Sequence, residues 1–140
     1  MNDVNPYIFF NGNCAEAMRF YEKTFGGRLN LLAAKESPMG ASLPPEQANA
    51  VMHSHLDIDG GGILMASDWM SQDPYPGMHG FRVSLMFPTA ADANRIFDAL
   101  ASGGSIQLPF QKTFWSAGFG MLTDRYGTPW MIGTDEGSEH

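Results

Sequence analysis

The sequence predicts an α+β protein made of two tandem βαβββ modules, and three observations predict it. First, a shift of 76 residues lays residues 6–22, PYIFFNGNCAEAMRFYE, over residues 82–98, RVSLMFPTAADANRIFD. Asn13 then meets Thr89, Glu16 meets Asp92, Arg19 meets Arg95, Tyr21 meets Phe97 and Glu22 meets Asp98. Second, each copy runs into a glycine pair, Gly26-Gly27 and Gly103-Gly104. Third, three short strand-like runs follow each pair.

In order along each copy, a short apolar run opens as a strand, Tyr7 to Phe10 and Val83 to Phe87. A helix start follows, with a carboxylate three residues after a capping residue: Asn13 with Glu16, and Thr89 with Asp92. Apolar residues then recur at helical spacing. They are Cys14, Met18, Tyr21 and Phe25 in the first copy, and Ala93, Ile96, Phe97 and Leu100 in the second. The glycine pairs stop both helices. Strands are expected over 28–35, 50–58 and 62–67, with Asp59-Gly60-Gly61-Gly62 as a hairpin turn. In the second copy they are expected over 105–110, 117–123 and 129–133, with the last turn at Asp124-Arg125-Tyr126-Gly127. The chain thus reads as one domain over 1–140, with module one over about 4–68, a loop over 68–79 and module two over about 80–134. Residues 37–49 form a Pro-rich loop outside the repeat. The loop over 68–79 carries Trp69, Met70, Tyr75 and Met78, which are expected at a pocket rim or a subunit contact because leaving them in water is costly.

Composition narrows the function. A chain of 140 residues with 44% apolar content can bury a core without disulfides. Its 16 glycines suit a turn-rich, strand-rich fold. A formal net charge of −7 repels phosphate backbones and anionic lipid, so neither nucleic acid nor a membrane is an expected partner. One cysteine, no basic leader and no long apolar run point to a cytoplasmic protein.

Two βαβββ units in tandem, together with particular residues, resemble the PhnB-like branch of the vicinal-oxygen-chelate (glyoxalase/bleomycin resistance/extradiol dioxygenase) superfamily. The residues are Phe10-Asn11-Gly12-Asn13-Cys14-Ala15-Glu16-Ala17 with Phe20-Tyr21, Ile63-Leu64-Met65-Ala66-Ser67-Asp68, and Thr113-Phe114-Trp115 through Gly118-Phe119-Gly120. Thr123-Asp124 and Gly127-Thr128-Pro129-Trp130-Met131-Ile132 complete them. The resemblance covers nearly the whole chain apart from the two loops and the last residues. It implies a cup-shaped mixed sheet and a homodimer, and it leaves the activity open. A methyltransferase label used for some relatives finds no glycine-rich strand-to-helix turn here to hold S-adenosylmethionine.

Metal-using members hold His or Glu at positions that fall near Pro6, Arg82, Leu64 and Met131. Shifted by one, they fall at Tyr7, Val83, Met65 and Trp130 or Ile132. Neither set supplies imidazole or carboxylate, so no metal or other cofactor is expected there. Four histidines remain. His53 and His55 share one side of a strand, as a chelating pair or as plain polar strand residues. His79 is a lone, weak metal candidate, and His140 is terminal.

Alternation on the fifth strand puts Arg82, Ser84 and Met86 toward the cup, and the repeat puts Ile8 and Phe10 with them. Arg82 reads either as an anion-binding guanidinium or as half of an ion pair with a nearby acid. Phe114, Trp115, Phe119, Trp130 and Met131 are expected to wall an apolar pocket. No catalytic residue stands out. Ser67, Ser84, Cys14 and Tyr126 lack an identifiable base, and Cys14 reads as an inert buried thiol. The leading expectation is a metal-free protein that binds a small molecule, an anion among the candidates. The alternative is a metal-dependent lyase or dioxygenase of glyoxalase type, and a third reading is a purely structural dimer.

Overall fold

The computed structural model describes residues 3–38, 44 and 47–137. The chain divides into two compact units, Met1–Gly77 and Met78–His140. Unit one contains β1 (Tyr7–Phe10), α1 (Cys14–Phe25), β2 (Gly27–Ala33), β3 (Val51–Ile58) and β4 (Ile63–Asp68). Unit two contains β5 (Val83–Phe87), α2 (Ala90–Ala101), β6 (Ser105–Gln111), β7 (Phe119–Thr123) and β8 (Pro129–Thr134). Each unit is therefore the βαβββ module that the repeat predicts. The strand orders are β1-β4-β3-β2 and β5-β8-β7-β6, with β1–β4 and β5–β8 parallel and the other pairs antiparallel. Most of the Pro-rich connection, residues 39–43, 45 and 46, lies outside the described residues.

Each helix buries one stripe on one face of its own sheet. On α1 the stripe is Cys14, Ala17, Met18, Tyr21 and Phe25; on α2 it is Ala93, Ile96, Phe97 and Leu100. In unit one Phe10, Tyr21 and Phe25 form a run of rings at 6.4 and 5.9 Å, over the buried Leu56, Leu64 and Ala66. In unit two Phe97 meets Phe110 at 5.7 Å, beside the buried Leu122, Trp130 and Ile132. Burying one such ring from water stabilises by about 2 kcal/mol.

The helix starts are capped differently. Thr89 accepts from the Asp92 amide at 3.2 Å, as its capping pattern predicts. Asn13 makes no side-chain cap. Asp68, at the end of β4, replaces it: Oδ1 accepts from the Cys14 amide at 2.9 Å and Oδ2 from the Val51 amide at 2.8 Å. One buried carboxylate therefore ties the start of α1 to the start of β3. The α2 counterpart is Glu136, just past β8, whose Oε2 accepts from the Ala90 amide at 2.6 Å at an exposed site.

The glycine pairs serve close approach as well as termination. A Cβ on Gly27 would collide with the backbone oxygen of Asp57, and one on Gly104 with that of Thr123. β6 has Pro109 within it and slips register twice against β7, which leaves it a poor template for a further strand.

Cys14 is fully buried, with its Sγ 3.7 Å from Ser54 Oγ. Burial is the main cause that pushes its pKa from an ordinary 9.0 up to about 12. The Ser54 hydrogen bond opposes this rise and the Asp68 charge adds to it. A thiol whose folded pKa is raised gives up stability as pH climbs from its unfolded pKa to its folded one.

Two outcomes follow from these contacts. Asp68→Ala is expected to cost about 3 kcal/mol, because it leaves two buried amides without an acceptor. Glu136→Ala at its exposed site is expected to cost about 1 kcal/mol or less, with urea unfolding as the measure for both. Between pH 9 and 12 the stability of the parent chain is expected to fall relative to Cys14→Ala, with a slope approaching 1.4 kcal/mol per pH unit. Parallel curves for the two proteins would refute the Cys14 assignment.

Candidate functional site

Each sheet has one face under its helix and one open face, and side chains of register partners share a face. On β5, Val83 is buried while Ser84 and Met86 are exposed. Ser84 pairs with Met131 and Met86 with Gly133, while Met131 pairs with Met121 and Gly133 with Phe119. The open face of unit two therefore carries Arg82, Ser84, Met86, Met131, Met121 and Phe119. Trp115 extends it with its ring 5.6 Å from Phe119. Phe114 stacks edge-on against Trp115 at 4.7 Å but is itself 97% exposed.

Arg82 is held by one nitrogen only. Nη1 donates to Leu122 O at 3.0 Å, to Trp130 O at 3.2 Å and to Gln107 Oε1 at 3.2 Å. Gln107 Oε1 also accepts from Thr123 Oγ1 at 3.1 Å. Nε and Nη2 donate to no described residue, and among the described residues no carboxylate pairs with Arg82. The guanidinium is thus anchored to the sheet backbone with its other edge open, the edge a carboxylate or phosphonate engages in bidentate fashion. Gln107, held in turn by Thr123, is a partner that sequence reading missed, because it falls at a bulge in β6.

Three expected cup residues lie elsewhere. Trp130 is fully buried on the helix side, with Nε1 donating to Asp124 Oδ2 at 2.8 Å. Asp124 Oδ1 also accepts from the Tyr126 amide at 2.8 Å and the Thr128 amide at 3.1 Å, so the last turn and the indole form one buried network. Ile8 and Phe10 are 3% and 0% exposed beneath α1. The physical reason is one residue of connection. Phe10 O accepts from the Trp69 amide, and Phe87 O accepts in the same way from the Asp135 amide. Phe10 therefore corresponds to Phe87, 77 residues on, although the helices keep the 76-residue shift. Gly12, at φ 92°, sits in the longer β1–α1 connection. A shift of one residue exchanges the faces of a strand.

Tyr7 and Phe9 take the open face of unit one instead. Their register partners on β4 are Met65 and Ser67, and β3 adds His55 opposite Met65. His53 lies on the same face, its Nδ1 3.3 Å from Tyr7 Oη. Rings continue from Tyr7 to Phe9 at 5.2 Å, Phe9 to Trp69 at 5.5 Å and Trp69 to Tyr75 at 6.2 Å. Tyr75 Oη donates to Phe9 O at 2.7 Å, and burial raises its pKa. Trp69 Nε1 donates to Asp73 O at 2.8 Å. The aromatic residues of the 68–79 loop thus extend an aromatic wall on their own unit. Met78 is half-buried in unit two.

The positions that the resemblance marks for a metal do not fit one. Leu64 faces the helix, buried, and its neighbour Met65 faces outward. The open-face side chains at these positions are Tyr7 and Met65 in unit one and Arg82 and Met131 in unit two, and none of them is an imidazole or a carboxylate. Among the described residues, no group of three or more His, Cys, Asp or Glu could hold a metal ion. His79 is exposed, and His140 lies outside the described residues. No helix among the described residues is long and apolar enough to cross a membrane.

Comparison with known proteins agrees with this architecture. The family model described as Glyoxalase/Bleomycin resistance protein/Dioxygenase superfamily matches residues 3–132. Protein YjdN of Escherichia coli K12 is 34% identical over 141 residues, covering 92% of each chain. The crystal structure of protein PA1353 from Pseudomonas aeruginosa is 41% identical, covers 96% of this chain and 98% of that one, and superimposes with a TM-score of 0.87. The PhnB protein from Bacillus cereus, 22% identical over 95% of this chain and 99% of its own, has a TM-score of 0.75 and shares the fold. With two βαβββ units, the residues that carry the resemblance and a family match over nearly its whole length, the chain belongs to the glyoxalase/bleomycin resistance protein/dioxygenase superfamily.

Proposed function

We propose that the chain binds a small molecule without a metal at the superfamily's ligand positions, and that the open face of module two takes an anion carrying an apolar body. Arg82 supports this reading most directly. Its Nη1 is anchored on two backbone carbonyls and Gln107, and its remaining edge meets no acid among the described residues. A guanidinium ordered in this way loses little entropy on binding, so an anion gains most of the charge-assisted hydrogen bonds. Ser84 adds a hydroxyl two residues along the strand. Met86, Met131, Phe119 and Trp115 offer the apolar surface, and flexible thioethers adapt to ligands of varied shape. The same reading takes the chain as a homodimer, in which a second copy covers large apolar side chains such as Phe81 and Ile106, 45% and 51% exposed.

Calorimetric titration with phenylphosphonate and benzoate tests the site. Arg82→Ala is expected to weaken binding at least tenfold, about 1.4 kcal/mol or more. Arg82→Lys should recover only part of it, since an ammonium cannot present two parallel donors. Equal binding by Arg82→Ala would remove the anion site. Stoichiometric zinc, iron, manganese or nickel in protein purified without chelator, lost in His79→Ala, would favour a metal-dependent lyase or dioxygenase instead. Light scattering at twice the monomer mass is expected, and a monomer would end the dimer part of the reading.

A further inference from the structure

On β3, beside the superfamily positions at Tyr7 and Met65, we propose that His53 and His55 form a two-imidazole site for a late first-row divalent ion of the copper, nickel and zinc group. The site rests on unit one alone and is independent of Arg82. The two residues stand two apart on one strand face, about 6.6 Å along the chain. Both are half-buried and face away from the helix. Two imidazoles at that spacing can close on one ion held about 2 Å from each nitrogen.

The stronger observation is that each ring already has one nitrogen oriented by a neighbour. His55 Nε2 lies 3.3 Å from Asp57 Oδ1, the carboxylate partner that fixes the ring and tautomer of a metal-bound histidine. His53 Nδ1 lies 3.3 Å from Tyr7 Oη, and its ring packs 5.7 Å from the Tyr7 ring. A phenol oxygen accepts as well as it donates, so a proton on His53 Nδ1 leaves its Nε2 lone pair open. His55 Nδ1 is open in the same way. Neither nitrogen has a hydrogen-bond partner among the described residues. Two imidazoles with their partners in place are a borderline-soft donor pair, which favours copper, nickel and zinc over magnesium or calcium. Met65, the register partner of His55, places a thioether on the same face, and water completes the coordination.

Cu2+ is the probe, titrated into the full chain at neutral pH against a chromogenic chelator and read by electron paramagnetic resonance. One ion per chain with two nitrogen donors is expected. His53→Gln and His55→Gln should each weaken it at least tenfold. Tyr7→Phe should weaken it by about tenfold, through loss of an orienting hydrogen bond. Unchanged circular dichroism in each variant separates lost ligation from lost folding. Three results would overturn the site. One is unchanged affinity in the His53→Gln/His55→Gln double variant. Another is binding abolished by His79→Ala or by His140→Ala. The third is absence of binding at micromolar Cu2+. Because the probe is a cation and the residues sit on β3, failure here leaves the anion titration at Arg82 untouched.

Discussion

A strand alternates its side chains between two faces, so the register of the first strand against the last decides what each module shows to water, and one backbone hydrogen bond in each marks that register. In unit one it is the bond from the Trp69 amide to Phe10 O, and in unit two the bond from the Asp135 amide to Phe87 O. These bonds mark where β1 meets the end of β4 and where β5 meets the end of β8, at the close of each ladder. Everything on the open faces depends on that registry. It sends Ile8 and Phe10 under α1 and brings Tyr7 and Phe9 outward, and it leaves Ser84 and Met86 outward beside Arg82. The helices are fastened to the same strand ends, by Asp68 in one unit and Glu136 in the other, so strand register and helix position are set together.

Much of this architecture was legible in the residues. The helices fall where the capping patterns and apolar spacing put them, and the buried stripes are the predicted ones with Ala17 added. Period and punctuation carry that information locally. The faces of β5 were legible because a charged residue and a serine alternate there with Val83 and Leu85. The faces of β1 were not. Four apolar residues in a row carry no alternation to read, and the repeat misled because the shift that aligns the helices is one residue short for the strands. At Trp130 the sequence is ambiguous, because an aromatic residue suits both core and cavity. What separates them is Asp124, six residues earlier, whose carboxylate takes the indole N–H inside. The Arg82 partners were beyond sequence reading, since two are backbone carbonyls and the third falls at a bulge.

Duplication has supplied one backbone plan twice, and the two open faces have taken on opposite chemistries. Unit one presents π surfaces and imidazoles, with the phenol of Tyr75 and the indole N–H of Trp69 bound to carbonyls of their own unit. Unit two presents a cation, a hydroxyl and a group of thioethers. The covered faces carry no such contrast, because a helix on a sheet demands the same apolar fill in both copies. Divergence is cheapest where packing imposes least.

The buried position of Cys14 has a consequence for how the protein meets oxidants. The sulfur is the one thiol of the chain, and it lies out of solvent with a strong preference for its protonated form. Peroxide and disulfide exchange both act through an accessible thiolate, and the native molecule offers none. A disulfide-linked pair of chains on a non-reducing gel would therefore record molecules that had opened, and its abundance would gauge the integrity of a preparation.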